Sequence, residues 1–199
     1  MELARKTDEE LMHAFQDGDF EAFRALFGRY EAPIFAFLVR QCGNRDTARD
    51  MAQDVFFRVV RSAGSFHHQS KFSTWVYTIA RNAAVDASRK ARHRNHPSLD
   101  DSRTPDAPCL FDRIATEDPG PDRGATSERL RADLSAAIDK LPADQREVFL
   151  LREYSGLRFD EIADVVGAKV GTVKSRMRYA LEGLRGALAD YEEYARSLP

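Results

Sequence analysis

The chain has 199 residues with a formal net charge of −2 at pH 7, and 43% of its residues are hydrophobic. That length allows one domain or two small ones, and we expect two. Because the charges nearly cancel, any affinity for nucleic acid must come from local patches and not from the overall charge. The two cysteines, Cys42 and Cys109, fit neither a zinc spacing nor a disulfide framework, and no apolar run reaches membrane-spanning length. We therefore predict a cytoplasmic protein with no membrane insertion, no metal and no cofactor.

The first two helices are predicted from their capping residues. Thr7 and Glu10 have the spacing of a capping box that opens the first helix, and Gly18 ends that helix. Asp19 can cap a second helix, in which aromatic and aliphatic side chains recur every three or four residues. Pro33 is expected to kink or interrupt this second helix, because its ring removes a backbone hydrogen bond.

Two more helices are predicted in the first half of the chain, at about 45–62 and 73–92. No strand pattern appears anywhere. The helical periodicity then collapses in a stretch that is rich in proline and acidic residues. We therefore predict an all-α protein of two small helical domains, at residues 1–95 and 127–199, joined by a flexible acidic linker at residues 96–126.

The second domain has the pattern of a helix-turn-helix between residues 141 and 184. Its helical periodicity is interrupted twice by glycine, the second time at Gly167, which predicts a short helix, a tight turn and a longer helix. Val173, Met177 and Leu181 share one stripe of the last helix and are expected to face the core. The opposite face carries side chains able to contact phosphate oxygens or base edges: Thr172, Lys174, Ser175, Arg176, Arg178 and Arg185.

The charges on the two sides of this turn differ in sign. The segment before the turn carries Asp160, Glu161 and Asp164, whereas the segment after it is cationic until Glu182. A supporting helix and a DNA-recognition helix would divide charge in this way, so we interpret the motif as a helix-turn-helix (winged-helix-like) DNA-binding domain. The alternative is an ordinary amphipathic helix with a solvated charged face, because helix-turn-helix look-alikes occur in many helical proteins.

Two blocks of sequence carry recognisable motifs, one on each side of the linker. Residues 46–92 contain Gln-Asp-Val-Phe, Phe-Ser-Thr-Trp-Val and Ile-Ala-Arg-Asn-x-x-x-Asp. Residues 141–184 contain Leu-Pro-x-x-Gln-Arg-x-Val-Phe and Gly-Thr-Val-Lys-Ser-Arg. The blocks resemble regions 2 and 4 of the bacterial sigma-70 family of RNA polymerase initiation factors, in its small extracytoplasmic function (ECF) group. The resemblance implies a factor that binds core RNA polymerase and directs promoter-specific transcription initiation.

The resemblance also implies protein partners. In the family, the helix matching residues 46–62 docks on a coiled coil of the polymerase clamp, and the polymerase flap is a second contact. The match assigns clamp binding to Asp50, Gln53, Asp54 and Arg58. A solvated helix face would explain these polar residues equally well. An anti-sigma factor is a further expected partner, because the family is commonly held inactive by one and no sensor domain is visible in the sequence.

Minus-10 promoter contacts are implied for the first domain. Phe66 and Asn82 match family positions that form a pocket for a base flipped out of the minus-10 element, where an apolar wall and an amide suit the base. Taken alone, Phe66 would more often be a core residue. The other minus-10 candidates form a cationic flank for the phosphate backbone: Lys71, Arg81, Arg89 and Lys90.

Minus-35 recognition is implied for the last helix of the motif. The residues assigned to it are Thr172, Lys174, Ser175, Arg176, Arg178 and Tyr179. Lys174, Ser175 and Arg178 are the best candidates for contacts to base edges, whereas Arg176 and Arg185 suit phosphates.

Two other classes of protein compete with this interpretation. A free-standing helix-turn-helix regulator would bind duplex DNA as a dimer, but it does not explain the block from Phe66 to Asn82. An enzyme is the third possibility, and no nucleophile–base pair, phosphate-binding loop or metal spacing in the sequence supports one. We therefore predict a protein without enzymatic activity.

Overall fold

The computed structural model describes residues 3–67, 70–94, 121–189 and 191. In this part of the chain there are eight α-helices, two short 3-10 helices and no strand, so the helix-turn-helix has no β-hairpin wing there. The α-helices are α1 Asp8–Gln16, α2 Phe20–Cys42, α3 Arg45–Arg61, α4 Phe72–Arg94, α5 Pro121–Lys140, α6 Ala143–Glu153, α7 Phe159–Val166 and α8 Val170–Ala187. The predicted all-α class is confirmed for these residues.

The first helices start at the predicted caps. Thr7 Oγ1 accepts from the Glu10 N–H at 3.2 Å, and the Thr7 N–H donates to Glu10 Oε2 at 2.7 Å, which confirms the capping box. Asp19 Oδ1 accepts from the Glu21 N–H at 3.0 Å and caps α2. The interruption expected at Pro33 is wrong, because α2 continues through this residue. Apolar side chains are buried on both sides of it, and their packing offsets the missing backbone hydrogen bond.

The first helix after the predicted linker begins earlier than the sequence pattern indicates. Residues 95–120, which hold most of the predicted linker and Cys109, lie outside the described residues. Helix α5 starts at Pro121, so residues 121–126 are helical although the linker was expected to include them. Proline suits the first turn of a helix, where no N–H donor is needed. These residues carry no large apolar side chain, and hydrophobic periodicity therefore gives no signal for their helix.

The first domain packs α1 to α4 around an aromatic core. Phe37, Phe72 and Tyr77 are each at most 1% exposed, and the Phe37 and Tyr77 rings meet edge-on with centroids 5.7 Å apart. The Tyr30 hydroxyl donates to Asp8 Oδ2 at 2.5 Å and ties α2 to α1. Burial, aided by this hydrogen bond, raises the pKa of Tyr30, so its phenol stays protonated.

The second domain packs α5 to α8 around an aliphatic core. Its most deeply buried side chains are Ile138, Val148, Leu150, Leu151, Ile162, Val173 and Ala180. Gly167 ends α7 with φ of 67°, a left-handed conformation that costs glycine little and most other residues more. Helix α8 follows from Val170. The predicted short helix, glycine turn and longer helix are therefore all present.

Candidate nucleic-acid and protein interfaces

Helix α8 buries one face against the rest of the second domain. Val173, Met177, Ala180 and Leu184 are each at most 6% exposed. The predicted stripe is correct for Val173 and Met177 but wrong for Leu181, which is 46% exposed. At 3.6 residues per turn, each four-residue step rotates the position by about 40° beyond a full turn. Two such steps carry Leu181 out of the core, and the stripe continues instead through Ala180 and Leu184.

The outward face of α8 holds the minus-35 candidates. They are Thr172, Lys174, Ser175, Arg176, Arg178 and Tyr179, all of them exposed except Arg176. Arg176 is half-buried because its Nε lies 3.0 Å from Asp144 Oδ2 in the first turn of α6. The Arg178 guanidinium lies over the Tyr179 ring, 4.7 Å from its centroid, and 3.8 Å separate Arg178 Nε from Glu182 Oε1. Cations and hydroxyls thus share one solvent-facing strip, which suits contact with a nucleic acid.

Helix α3 exposes the residues matched to polymerase docking. Asp50, Gln53 and Asp54 are exposed, whereas Arg58 is half-buried. Arg58 Nη2 lies 2.7 Å from Asp54 Oδ2, and Arg58 Nη1 lies 3.7 Å from Asp86 Oδ2 on α4. Arg58 therefore ties α3 to α4, while Asp50 and Gln53 present their polar ends to solvent.

An apolar groove of about 790 Å³ lies beside these polar residues, between α2 and α3. Gln53 lines it together with Phe56, Phe57 and Val60, so the groove and the docking face form one continuous surface. Phe57 is 68% exposed and Val60 is 44% exposed. Apolar side chains clustered in water favour a partner surface. Phe57 is not among the residues that the sequence motifs assign to docking, and its exposure on α3 is visible only in the structure.

Phe66 lies in the core of the first domain. Its ring is 2% exposed and packs edge-on against Trp75, with centroids 5.4 Å apart. Gln16 Nε2 donates to the carbonyl oxygens of Ala63 and Phe66, at 2.7 Å and 3.0 Å, and holds this segment against α1. A base cannot stack on Phe66 in this conformation. The minus-10 role of Phe66 stays a prediction that requires the segment to move.

Three of the other minus-10 candidates are exposed on α4. They are Asn82, Arg89 and Lys90. Asn82 and Arg89 are seven residues apart, which places them within about 20° of each other around the helix axis. Helix α4 therefore presents an amide and a guanidinium on the same side, where the amide can contact the edge of a base and the guanidinium a phosphate.

Lys71 and Arg81 each form an ion pair with a glutamate of the second domain. Lys71 Nζ lies 2.5 Å from Glu161 Oε1 at the start of α7. Arg81 Nε lies 3.0 Å from Glu147 Oε1 on α6, in a hydrogen bond between largely buried groups. No local sequence pattern predicts these pairs, because their residues lie far apart in the chain.

The two carboxyls in these pairs respond differently to their surroundings. Burial raises the pKa of Glu147 by more than the Arg81 guanidinium lowers it. Burial also raises the pKa of Glu161, but the Arg158 N–H and the Lys71 ammonium outweigh burial and leave the pKa below its ordinary value. Glu161 is therefore the more firmly ionised of the two.

Other classes of site find no support in the described residues. No group of three or more His, Cys, Asp and Glu side chains there could hold a metal ion. Cys42, at the end of α2, is a free thiol. Within the same residues, no helix combines the length and apolar character needed to cross a membrane.

Both halves of the chain match known family regions. The model for Sigma-70 region 2 matches residues 26–94, and the model for Sigma-70, region 4 matches residues 131–184. The RNA polymerase sigma-H factor of Pseudomonas aeruginosa is 35% identical over 186 residues, which cover 94% of this chain and 96% of that protein. The ECF RNA polymerase sigma-E factor of Escherichia coli (strain K12) is 34% identical over 178 residues, which cover 89% and 92%.

Two solved structures share the fold. CnrH, in complex with the cytosolic domain of CnrY, has a TM-score of 0.67 at 21% identity, covering 93% of this chain and 99% of CnrH. The sigma factor RpoE of Bartonella quintana, in complex with the anti-sigma factor NepR, has a TM-score of 0.66 at 23% identity, covering 84% and 96%. At these identities the likeness describes the fold, and it extends over both domains.

Proposed function

The chain belongs to the sigma-70 family of RNA polymerase initiation factors, in its ECF group, and from this membership we propose how its two domains divide promoter recognition. It binds core RNA polymerase and directs transcription initiation at promoter DNA. We assign minus-35 recognition to the second domain, and minus-10 recognition and melting to the first. Neither step needs a catalytic residue or a cofactor, because capture of unstacked bases can drive melting.

The observation that carries the minus-35 assignment is the division of α8 into two faces. Val173 and Met177 are buried, whereas Lys174, Ser175 and Arg178 project into solvent from a helix that follows a tight glycine turn. Side chains at these positions can enter a major groove while the buried stripe holds the helix in place. Thr172, near the N-terminus of α8, can contact a phosphate through its hydroxyl.

In the first domain we assign the minus-10 element to α4. Exposed Asn82 supplies an amide for a base edge, and Arg89 and Lys90 supply cations for the backbone. Lys71 and Arg81 belong to the same set once they are released from the second domain. Phe66 joins the base pocket only if its segment leaves the core.

Polymerase docking is assigned to the exposed face of α3. Asp50, Gln53 and Asp54 would meet the clamp coiled coil, and the adjoining groove with Phe57 would take apolar side chains from the same partner. A combined polar and apolar surface explains why this face holds an exposed phenylalanine. A helix face that met only solvent would account for the polar residues but not for the exposed phenylalanine.

We further infer that the chain works in the cytoplasm and has an anti-sigma partner. The support is the family, in which the fold relative from Bartonella quintana is held by an anti-sigma factor. Such a partner would need to cover the docking face of α3, the outward face of α8, or both. Either mode would stop initiation without changing the fold.

In vitro transcription tests this function directly. Purified chain and core RNA polymerase are incubated with a genomic DNA library, and transcript start sites are sequenced. Initiation at a shared minus-10 and minus-35 motif is expected only when both proteins are present, while the chain alone should shift the same DNA weakly. Tight, specific binding by the chain alone, together with a dimer in solution, would favour the free-standing regulator.

A further inference from the structure

Helix α1 contacts the backbone that follows α3 and the backbone that begins α4. We propose that one face of α1, formed by Glu9, His13 and Gln16, positions the minus-10 segment, defined as residues 63–67 and 70–72, and so helps to set the minus-10 sequence preference. The proposal rests on the assignment of minus-10 recognition to the first domain. The match to Sigma-70 region 2 begins after α1, at residue 26, and does not include this face.

The three side chains lie on one side of α1. Glu9, His13 and Gln16 are four and three residues apart, which places them within about 60° of one another around the helix axis. Leu11 and Met12 on the same helix are 0% exposed, so α1 cannot rotate about its axis without losing core contacts. The α1 face therefore keeps one orientation toward the segment.

Helix α1 is itself fixed to α2 by Asp8. Asp8 Oδ1 accepts from Arg29 Nη1 at 2.5 Å, and Asp8 Oδ2 accepts from the Tyr30 hydroxyl at 2.5 Å. A carboxylate that accepts from a guanidinium and a hydroxyl at once has little freedom to turn. The α1 face thus projects from a helix that has support of its own.

Gln16 fixes the start of the minus-10 segment. Its Nε2 donates to the carbonyl oxygens of Ala63 and Phe66, at 2.7 Å and 3.0 Å. A side-chain amide has two N–H donors, and here each has its own acceptor. The Phe66 N–H also donates to the Ala63 carbonyl oxygen at 3.0 Å, which closes a tight turn. Gln16 therefore holds both ends of this turn from α1.

Glu9 fixes the end of the segment, where α4 begins. Glu9 Oε1 accepts from the Phe72 N–H at 2.9 Å. Phe72 is the first residue of α4, and an N–H group in the first turn has no partner within its own helix. The Glu9 carboxylate supplies that partner and suits the positive end of the helix dipole. The same bond fixes the backbone beside Lys71, one of the minus-10 candidates.

His13 contacts the segment between these two anchoring points. Its ring and the Phe66 ring have centroids 6.3 Å apart, and Phe66 also packs against Phe72 and Trp75 at 6.0 Å and 5.4 Å. Phe66 is 2% exposed and so anchors the segment in the core, whereas His67, the next residue, is exposed. The segment therefore presents its exposed side chains from a fixed backbone.

A fixed backbone matters because discrimination between bases depends on placement. Side chains that recognise a ligand must be held to about 0.5 Å by groups that do not touch it. Loss of either hydrogen bond would let the segment move relative to Asn82 on α4, and the correct base would lose part of its advantage over the others. Glu9 and Gln16 are thus positioning residues, which act through the segment and not by contact with DNA.

The test compares holoenzymes that differ at these two hydrogen bonds. Gln16→Met and Glu9→Met keep a side chain of similar length but remove the donor and the acceptor. Glu9→Gln keeps an acceptor oxygen for the Phe72 N–H and should restore wild-type behaviour. Ile34→Val, a change in the core at α2, is the matched control for stability, because its cost is similar to that of a lost hydrogen bond.

Each holoenzyme selects promoters from a library that is randomised only in the minus-10 element. We expect Gln16→Met and Glu9→Met to lower discrimination at one or more minus-10 positions by about two- to tenfold, the equivalent of one hydrogen bond. Glu9→Gln and Ile34→Val should select the wild-type motif. Core binding and selection from a minus-35 library should be unchanged for all four variants, because the substitutions lie outside α3 and α8.

An unchanged minus-10 motif in both methionine variants would overturn the proposal. Equal relaxation of the motif in Ile34→Val would overturn it too, because stability alone would then explain the effect. If Gln16→Met fails to fold by circular dichroism, the comparison of Glu9→Met with Glu9→Gln decides the question. A wild-type holoenzyme that selects no minus-10 motif would count against the proposed function, whereas normal wild-type selection with unchanged variants would count against the positioning role alone.

Discussion

Arg176 Nε lies 3.0 Å from Asp144 Oδ2, and this ion pair joins the recognition helix α8 to the first turn of α6. Arg176 is thereby held in one orientation, with its side chain 29% exposed. A guanidinium carries five N–H donors, so pairing with one carboxylate leaves others for a phosphate. The pair therefore suggests that Arg176 contacts DNA from a fixed position.

The first prediction concerns this pair. Arg176→Ala should weaken binding of holoenzyme to all minus-35 sequences alike and lower the salt slope of binding by about one, as expected for a lost phosphate contact. Asp144→Asn should leave the sequence preference unchanged, because the arginine remains. Competition binding at several salt concentrations would measure both effects. A change of preference at one base pair in Arg176→Ala would show that Arg176 contacts a base edge.

A second prediction separates base contacts from phosphate contacts on the same helix. Arg178 is exposed beside Lys174 and Ser175, and its truncation to alanine should relax the preference at one minus-35 position at a cost of about 1–3 kcal/mol. Arg185→Ala should instead lower affinity uniformly. Selection from a randomised minus-35 library with each mutant holoenzyme gives the comparison. If Lys174→Ala, Ser175→Ala and Arg178→Ala all select the wild-type motif, the base-contacting face lies elsewhere.

Phe66 and Asn82 should respond differently to truncation. Phe66→Ala leaves a cavity in the core and should reduce the free energy of unfolding by about 3–5 kcal/mol. Asn82 is exposed, so Asn82→Ala should keep the stability but impair open-complex formation. Permanganate footprinting reports promoter opening, and a core-binding assay reports docking. Ser88→Ala, an exposed change on the same helix, is the control; equal footprints for Asn82→Ala and this control would exclude Asn82 from the base pocket.

Phe57 should matter for polymerase binding and not for folding. Because Phe57 is 68% exposed, Phe57→Ala should change the free energy of unfolding by no more than about 0.5 kcal/mol. We expect binding to core polymerase to weaken by about 1–2 kcal/mol, as for an aromatic side chain at a protein interface. Phe20→Ala is the matched control, since Phe20 is 76% exposed and does not line the groove. Similar binding by the two variants would remove the groove from the docking surface.

The raised pKa of Glu147 predicts a pH dependence of stability. Between the ordinary glutamate pKa and the raised one, the native state holds this proton more firmly than the unfolded chain, so stability falls as the pH rises through that window. Glu147→Gln should remove this contribution. Urea unfolding of both proteins from about pH 4 to pH 7 gives the difference in their free energies of unfolding.

The expected difference, wild type minus Glu147→Gln, decreases with rising pH. Glu153→Gln removes an exposed carboxylate from the same helix and is the control. A difference that increases with pH would mean that the attraction of Arg81 outweighs the burial of Glu147.

Local sequence patterns determined where many of this protein's helices begin and end and which of their faces are buried. The caps at Thr7 and Asp19 and the glycine turn at Gly167 lie where the sequence predicts them, because a cap or a left-handed turn depends on residues within one helical turn. The inward positions Val173 and Met177 follow from helical periodicity in the same way. The two family blocks also depend only on residue order, so membership of the sigma-70 family was visible before the fold.

Only the tertiary structure decided which surface residues are available to a partner. The docking of the helices decides that Phe66 is buried and that Phe57 is exposed. It also brings Arg81 to Glu147, which lies 66 positions away in the sequence. Docking energy comes from apolar area and paired charges that two distant segments bury together. No single segment carries that information, which is why the sequence indicates the promoter-binding residues but not which of them the second domain covers.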